Sequence, residues 1–336
     1  MNKLRVAVIG CGRISVRHFA AILDSPYADL AACCDIRSER AENAAKQYGC
    51  KAYTDYVRLL DEVRPDAVHI CLPHYLHSKA AIAAFERGSH VLTEKPMDID
   101  LTSAEKAASY AEKCGLQFGV VMQCRYNDSV RFVKQALDSG KLGKILSARS
   151  TLTWARPDSY YLESDWKGTW DKEGGGVVID QAIHSIDLVN WLIDSEPETV
   201  SCSMANRGHT SVQVEDSAEG LITYKNGVKY GFYAMNNYGC NEPIEIRFLC
   251  ENGKVVFGYD SAEIAYNDGT REQMQSDVQT EAAKDGKPYW GVRHGRQIEQ
   301  FYKACLGLEN LEISGREALK THRLIMELYR KGGMRK

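Results

Sequence analysis

The 336-residue sequence is short of most features that would tie a chain to a special environment. Its 11 cysteines are scattered and form no Cys-x-x-Cys pair, which leaves neither a zinc-binding pattern nor a disulfide framework. Cys33, Cys71 and Cys250 sit inside apolar strand-like runs, as buried reduced thiols do. A net charge of only -3, with the two signs mixed, gives no reason to expect nucleic acid or a membrane surface as partner. No apolar run approaches the roughly 20 residues that a membrane-spanning helix needs. The chain enters a strand pattern at Leu4 with no charged-then-apolar stretch before it, so no cleaved leader is expected, and a cytoplasmic location is. Internal repeats and low-complexity segments are missing, and 44% hydrophobic against 26% charged residues is the composition of a folded globular protein. The length is too great for one ordinary domain and suits two.

What is present begins with a buried-strand run, Leu4 to Ile9, followed by Gly10-Cys11-Gly12-Arg13-Ile14-Ser15 and a helix pattern to Leu23. This approximates the Gly-x-Gly-x-x-Gly turn. Gly10 would permit the tight turn, and Gly12 would let the backbone approach a pyrophosphate at the helix N-terminus. Ser15 stands where the third glycine is usual. A second strand, Leu30 to Cys34, ends in Asp35, where a carboxylate accepts from ribose hydroxyls and repels a 2′-phosphate, favouring NAD over NADP. Asp35 could instead cap a helix beginning near Ser38. Arg37 could stack on adenine or neutralise a 2′-phosphate.

Strand and helix then alternate through Tyr56 to Val63, Ala67 to Leu72, a helix to Arg87, His90 to Thr93, Leu101 to Cys114 and Gln117 to Met122. Such alternation implies a parallel, doubly wound sheet with ligands beyond the strand C-termini. Asp35, Leu72, Pro73, His77, Glu94, Lys95 and Gln123 lie at those ends. Pro96 biases Lys95 away from helical geometry. A lysine beside a cationic nicotinamide would have a lowered pKa and could exchange protons with a substrate hydroxyl; a surface lysine paired with Glu94 is the plainer alternative.

Beyond a helix from Arg125 to about Ser139, long strands take over: Ile145 to Ala155, Thr199 to Arg207, Ala218 to Tyr224, Val228 to Met235, Ile244 to Cys250 and Lys254 to Gly258. Asn226-Gly227 and Asn252-Gly253 read as hairpin turns, giving an antiparallel sheet of consecutive strands. Within this half, Gly174-Gly175-Gly176 leads into a helix pattern from Asp180 to Trp191. Ile179, Ala182, Ile183, Ile186, Val189 and Ile193 form its apolar face, and Asp180, His184, Asp187 and Trp191 a neighbouring stripe. The glycines would let a backbone or ligand come close, and the helix start favours negative charge. An Asp and a His one turn apart suit proton transfer, though an amphipathic helix with a solvated edge shows the same pattern. Trp154-Ala155-Arg156-Pro157-Asp158-Ser159-Tyr160-Tyr161 and Trp166-Lys167-Gly168-Thr169-Trp170 interleave aromatics with charge, as a sugar-binding loop or a loop packed on the sheet edge would. A second cluster, Tyr289 to His294, enters a C-terminal helix, about Val292 to Leu306, and Arg316 to Lys331 forms another.

Taken in order, Gly10-x-Gly12, Asp35, Glu94-Lys95-Pro96 and Gly174-Gly175-Gly176 followed by Asp180-x-x-x-His184 resemble the Gfo/Idh/MocA family of NAD(P)-dependent oxidoreductases. Ala182 stands where the family often has glycine. The resemblance implies an N-terminal Rossmann domain over residues 1–123 and an α+β substrate domain over 124–336. The latter would carry a large, open-faced, mainly antiparallel sheet that often forms a homo-oligomer interface, and the C-terminal helices could pack back on the first domain. It implies Lys95, Asp180 and His184 as the catalytic group. It also implies Gly10, Gly12, Arg13, Ile14, Asp35, Pro73, His77, Glu94 and Gln123 around the cofactor, with Arg37 and Leu72 added to them. Arg125, Trp154, Arg156, Trp170 and His294 are further expected substrate contacts, and no metal is expected. The reaction implied is hydride transfer between NAD and a ring hydroxyl of a sugar, glycoside or inositol. Two alternatives remain at this level: a redox-neutral glycoside-cleaving enzyme using the same residues, and a sugar sensor that has lost catalysis.

Overall fold

The computed structural model describes residues 3–276 and 293–334; of the expected Tyr289 to His294 cluster, residues 289–292 lie outside them. By its internal packing the chain divides into two compact units, Met1–Met122 with His294–His322, and Gln123–Arg293 with Arg323–Lys336. The boundary falls one residue before the expected 123/124 division, and 294–322 groups with the first unit, in keeping with C-terminal helices that could pack back on it.

The first unit holds β1 (Leu4–Ile9), β2 (Ala28–Cys34), β3 (Lys51–Tyr53), β4 (Ala67–Ile70), β5 (His90–Thr93) and β6 (Phe118–Val120) in the order β3-β2-β1-β4-β5-β6. Every neighbouring pair is parallel. The apolar runs have no alternation because both faces are covered: Val6, Ala7, Val8 and Ile9 are all fully buried. Strand order reverses between β1 and β4, the place where doubly wound sheets bind ligands beyond their carboxyl ends.

The second unit is built on eight strands: β7 (Ile145–Thr153), β8 (Pro197–Ala205), β9 (Ser217–Tyr224), β10 (Lys229–Met235), β11 (Glu245–Cys250), β12 (Gly253–Phe257), β13 (Ser261–Tyr266) and β14 (Arg271–Gln275). Their order, β14-β13-β12-β11-β7-β10-β9-β8, corrects the expectation of strands following one another: β7 lies in the centre and pairs parallel with β10. The last two strands carry too many polar residues to read as strands. The Asn226-Gly227 hairpin forms as expected, Gly227 taking φ +87° between β9 and β10. The other turn is Glu251-Asn252, and Gly253 opens β12, where a Cβ would stand 2.7 Å from the Ala265 carbonyl of β13.

Side chains alternate along these strands. Ile246, Phe248 and Cys250 point into the core, and Leu146, Leu221, Tyr233 and Leu249 are exposed on the sheet. Helix Asp128–Asp138 packs against β12 to β14, and helix Ile183–Ile193 against β7.

Arg125 is held in a buried ion pair. It sits in a short 3-10 turn, Gln123–Tyr126, and donates from Nε and Nη2 to both carboxylate oxygens of Asp187 at 2.7 Å. Its guanidinium also lies 5.1 Å from the Trp191 ring, and both partners of the pair are buried. Asp187, on the expected polar stripe of the Asp180 helix, thus forms a buried ion pair with Arg125, an expected substrate contact. Truncating one partner of such a pair strands the other charge in the core. Asp187→Ala should therefore lower unfolding free energy by about 3–5 kcal/mol, and an Arg125→Met/Asp187→Leu double variant should recover most of it. Urea unfolding reads both; an Asp187→Ala protein as stable as the parent contradicts the assignment.

Candidate active site

In the first unit the glycine turn is fixed by backbone geometry. Gly10 takes φ +98°, and a Cβ there would collide with the Cys71 carbonyl at the end of β4. A Cβ at Gly12 would meet nothing within 4 Å, so open space lies at the head of helix Ser15–Asp24. Ser15 fills the third glycine's place and donates from Oγ to the Gly12 carbonyl at 2.6 Å. Arg13 is exposed and Ile14 half-buried.

Asp35 accepts from the Cys11 amide at 3.0 Å with one oxygen and from the Arg37 amide at 2.9 Å with the other. It thereby ties the end of β2 to the glycine turn and is not the cap of helix Ser38–Tyr48, whose N-cap position is Arg37. Open space beside Gly12, together with a carboxylate anchored to that turn, fits a dinucleotide. Ile36, which sequence reasoning passed over, follows Asp35 with 89% of its surface exposed. The signal was an isoleucine where a polar turn residue would be ordinary. Arg37 is exposed beside it.

The other strand-end residues of this unit are organised from beneath. His77 is buried and places its ring nitrogens 2.6 Å from the Pro96 carbonyl and 2.7 Å from the Leu72 carbonyl, stapling the Leu72-Pro73 loop to the Glu94-Lys95-Pro96 loop. Burial pushes its pKa down, against the pull of those carbonyls.

Glu94 accepts from the Lys95 amide at 3.3 Å and meets His18 Nε2 at 3.0 Å and His294 Nε2 at 3.4 Å. Behind it, His18 Nδ1 lies 2.8 Å from His69 Nδ1, and His69 Nε2 lies 2.9 Å from the Tyr302 hydroxyl. Burial would raise the Glu94 carboxyl, but hydrogen bonds from His18 and His294 hold it well below the usual range. Burial pushes His18 and His69 down. With Glu94 ionised and both of those rings neutral, the donors run one way, Tyr302 to His69 to His18 to Glu94. His294, the expected substrate contact, is buried in the first unit beside Glu94. Lys95 is half-buried.

In the second unit two of the three glycines, Gly175 and Gly176, serve the chain itself. A Cβ on Gly175 would collide with the Tyr329 hydroxyl, and one on Gly176 with the Glu215 carbonyl. Glu215 accepts from the amides of Gly176 (2.9 Å) and Val178 (3.0 Å) and from Tyr329 Oη (2.7 Å). The negative charge expected at this helix start is therefore supplied internally. Burial, against these donors, pushes Glu215 up to about 7.

The segment is not one regular helix. A π-turn, Val178–Ala182, carries Asp180, and the α-helix Ile183–Ile193 carries His184 in its first turn. Both residues are half-buried. Asp180 Oδ2 accepts from Gln181 Nε2 at 2.6 Å and Tyr160 Oη at 3.0 Å, with Lys167 Nζ at 3.4 Å. Asn236 donates to Gln181 Oε1 at 2.9 Å and so orients the amide that serves Asp180. The expected sugar loop turns part of itself inward. Tyr160, on the short helix Asp158–Leu162, and Lys167 both face Asp180.

Arg156 donates to Asn241 Oδ1 at 2.9 Å and lies 4.8 Å from the buried Trp154 ring, whose Nε1 donates to the Glu242 carbonyl. Trp170 donates to the Gln213 carbonyl and stands edge-on to Tyr329 at 5.8 Å. The Gln123 Oε1 atom is buried with no hydrogen-bond partner among the described residues, a group open to a ligand donor. Among those residues no cluster has the makings of a metal site.

Comparison with known proteins follows the same division. Residues 4–122 match the model of the oxidoreductase family with the NAD-binding Rossmann fold, and residues 130–256 match the GFO/IDH/MocA C-terminal domain. The chain is 28% identical over 258 residues to glucose-6-phosphate 3-dehydrogenase of Bacillus subtilis, covering 74% of this chain and 71% of that one. It is 29% identical over 350 residues to D-glucoside 3-dehydrogenase of Escherichia coli, covering 98% and 95%. Among solved structures, the WlbA dehydrogenase of Bordetella pertussis, in complex with NADH and UDP-GlcNAcA, superposes with TM-score 0.85 at 26% identity, covering 98% of this chain and 97% of that one.

Glu173 is fully enclosed beside Lys167, at 3.9 Å, and burial pushes its carboxyl up from 4.5 to about 8. Below about 4.5 it is protonated whether the chain is folded or not. Above that, the unfolded chain releases the proton and the folded one keeps it, so stability is lost as pH rises through about 8. Glu173→Gln should flatten this fall: Tm measured from pH 5 to pH 9 should drop less in the variant than in the parent. Parallel curves contradict the buried-acid assignment.

Proposed function

Because the chain belongs to the Gfo/Idh/MocA family of oxidoreductases, we propose that it is an NAD-dependent dehydrogenase of a ring secondary hydroxyl, with C3 of a glucoside as the favoured position. Support for that carbon comes from the relatives' names, glucose-6-phosphate 3-dehydrogenase and D-glucoside 3-dehydrogenase, the latter aligned along 98% of this chain. The observation that carries the cofactor reading is the open space at Gly12 beside a carboxylate bound to the Cys11 amide.

Gly10, Gly12, Arg13 and Ile14 form the turn that receives the pyrophosphate, and Asp35 the ribose hydroxyls, which disfavours a 2′-phosphate. Ile36 offers adenine an apolar surface, with Arg37 beside it. Leu72, Pro73 and Gln123 supply further wall, and His77 and Glu94 hold those loops from below. Bound there, NAD would supply the hydride acceptor for the ring carbon. His184 takes the hydroxyl proton, Asp180 stabilises the charged imidazole, and Lys95 donates a hydrogen bond to the oxygen as it becomes a carbonyl. Trp154, Arg156 and Trp170 shape the sugar's surroundings. No helix among the described residues is long and apolar enough to cross a membrane, and the reading places the enzyme in the cytoplasm. Leu146, Leu221, Tyr233 and Leu249 on the open face of the sheet favour a homo-oligomer.

The test is absorbance of reduced nicotinamide during incubation with NAD and a panel of glucosides, free hexoses and inositols. Growth of the signal with a glucoside is expected. A flat trace contradicts turnover dehydrogenation; if denaturation then releases near-equimolar NAD or NADH, the redox-neutral glycoside-cleaving reading takes its place. Lys95→Ala should lower turnover by about 10²–10⁴-fold with little change in NAD affinity. Unchanged turnover removes Lys95 from the chemistry.

A further inference from the structure

One lysine in the second unit has surroundings that the reaction above does not yet use. Lys167 has a side chain only 16% exposed, and its Nζ lies 3.4 Å from Asp180 Oδ2 and 3.9 Å from Glu173 Oε1. It also contacts Tyr160 Oη and lies 4.0 Å from the centre of the Tyr160 ring and 5.1 Å from that of Trp166. A cation held over two aromatic faces and shared by two carboxyls is placed, not floating. Around Asp180 stand Tyr160, Tyr161 and Glu173, with His184 at the start of the next helix and Glu215 beneath the glycines. Glu173 and Tyr161 couple unfavourably to a negative charge on Asp180, whereas the Tyr160 hydroxyl and the Gln181 amide donate to it. Lys167 places a charge of opposite sign 3.4 Å from Asp180 Oδ2.

We propose that Lys167, with Tyr160 as its second arm, is a positioning residue for the reaction: it keeps Asp180 ionised and aims its carboxylate. This rests on the reading that Asp180 belongs to the proton-transfer group. The geometry explains why Oδ2 collects the Tyr160 hydroxyl, the Gln181 amide and the ammonium together. An ionised carboxylate binds three donors on one oxygen far better than a neutral acid. Asp180 so held can stabilise a protonated His184. Removing Lys167 takes away a positive charge 3.4 Å from Asp180 Oδ2 and leaves the neutral donors Tyr160 and Gln181 on that oxygen.

The test is the pH dependence of kcat with NAD and methyl β-D-glucopyranoside for the parent, Lys167→Met, Lys167→Arg and Tyr160→Phe. Lys167→Met removes the charge and keeps the length. Its acid limb should move up by about one pH unit, with kcat on that limb lowered about tenfold and recovering at alkaline pH. Lys167→Arg should restore the profile, and Tyr160→Phe should move it less in the same direction. A loss uniform across pH, or an Lys167→Arg profile like that of Lys167→Met, overturns the proposal. If Lys167→Met does not fold, Tyr160→Phe decides by the direction of its limb.

The carboxyl ¹³C resonance of Asp180, assigned with Asp180→Asn, separates this from failure of the reaction reading or of the probe sugar. Its titration midpoint should rise in Lys167→Met, or in Tyr160→Phe should that protein be the one that folds. An unmoved midpoint overturns the proposal even where turnover changes. If Asp180→Asn turns over normally while the midpoint still depends on Lys167, the catalytic reading of Asp180 has failed and the ion contact has not.

Discussion

The second unit depends on where one buried carboxyl group sits. Glu215 collects the amides of Gly176 and Val178 and the hydroxyl of Tyr329, and its own carbonyl accepts from Val177. These are the backbone donors that a helix start leaves unpaired, and a carboxylate is the acceptor that suits them. Its placement requires glycine at 175 and 176, because a side chain at either would displace Tyr329 or the Glu215 backbone. It fixes the first turn beyond the glycines, and with it the positions of Asp180 and His184. The cost is a buried acid whose pKa burial raises to about 7, offset by three donors on its carboxyl, two backbone amides and the Tyr329 hydroxyl.

A comparable device works in the first unit. Glu94 is held from one side by His18, itself fixed by His69 and Tyr302, and from another by His294. Each member of that file is buried, so its polar atoms must satisfy one another. The result is a rigid floor under Lys95, completed by His77 across the two neighbouring loops. Both units thus hold their candidate chemical residues on buried, internally satisfied polar groups, with the exposed work left to few atoms.

Much of this was legible in the chain. The parallel sheet could be read because fully buried strands separated by helices leave long apolar runs, and the glycine turn because its geometry admits few other residues. Asp35 and Lys95 could be set at strand ends, whereas the π-turn that carries Asp180 ahead of the His184 helix had no signal in the spacing. What the chain hid were partnerships across long separations. Arg125 reads as a ligand-facing cation until Asp187, 62 residues on, takes both its nitrogens. His294 reads as a substrate contact entering a helix, and nothing local signals that Glu94, 200 residues earlier, lies 3.4 Å from its ring. The glycines before Asp180 read as room for a ligand, whereas Glu215 and Tyr329 occupy it. β13 and β14 lacked the apolar alternation that marks a strand, and the parallel pairing of β7 with β10 has no local signature.

The most direct measurement is the fate of the ring hydrogens. NAD is incubated with the protein and with methyl β-D-glucopyranoside or myo-inositol carrying deuterium at the ring carbons, and the dinucleotide is then weighed by mass spectrometry. The account predicts one deuterium in reduced dinucleotide, lost when the ring carbon that is oxidised carries hydrogen instead. Reduced dinucleotide without deuterium, or dinucleotide left oxidised while the sugars remain intact, would contradict it.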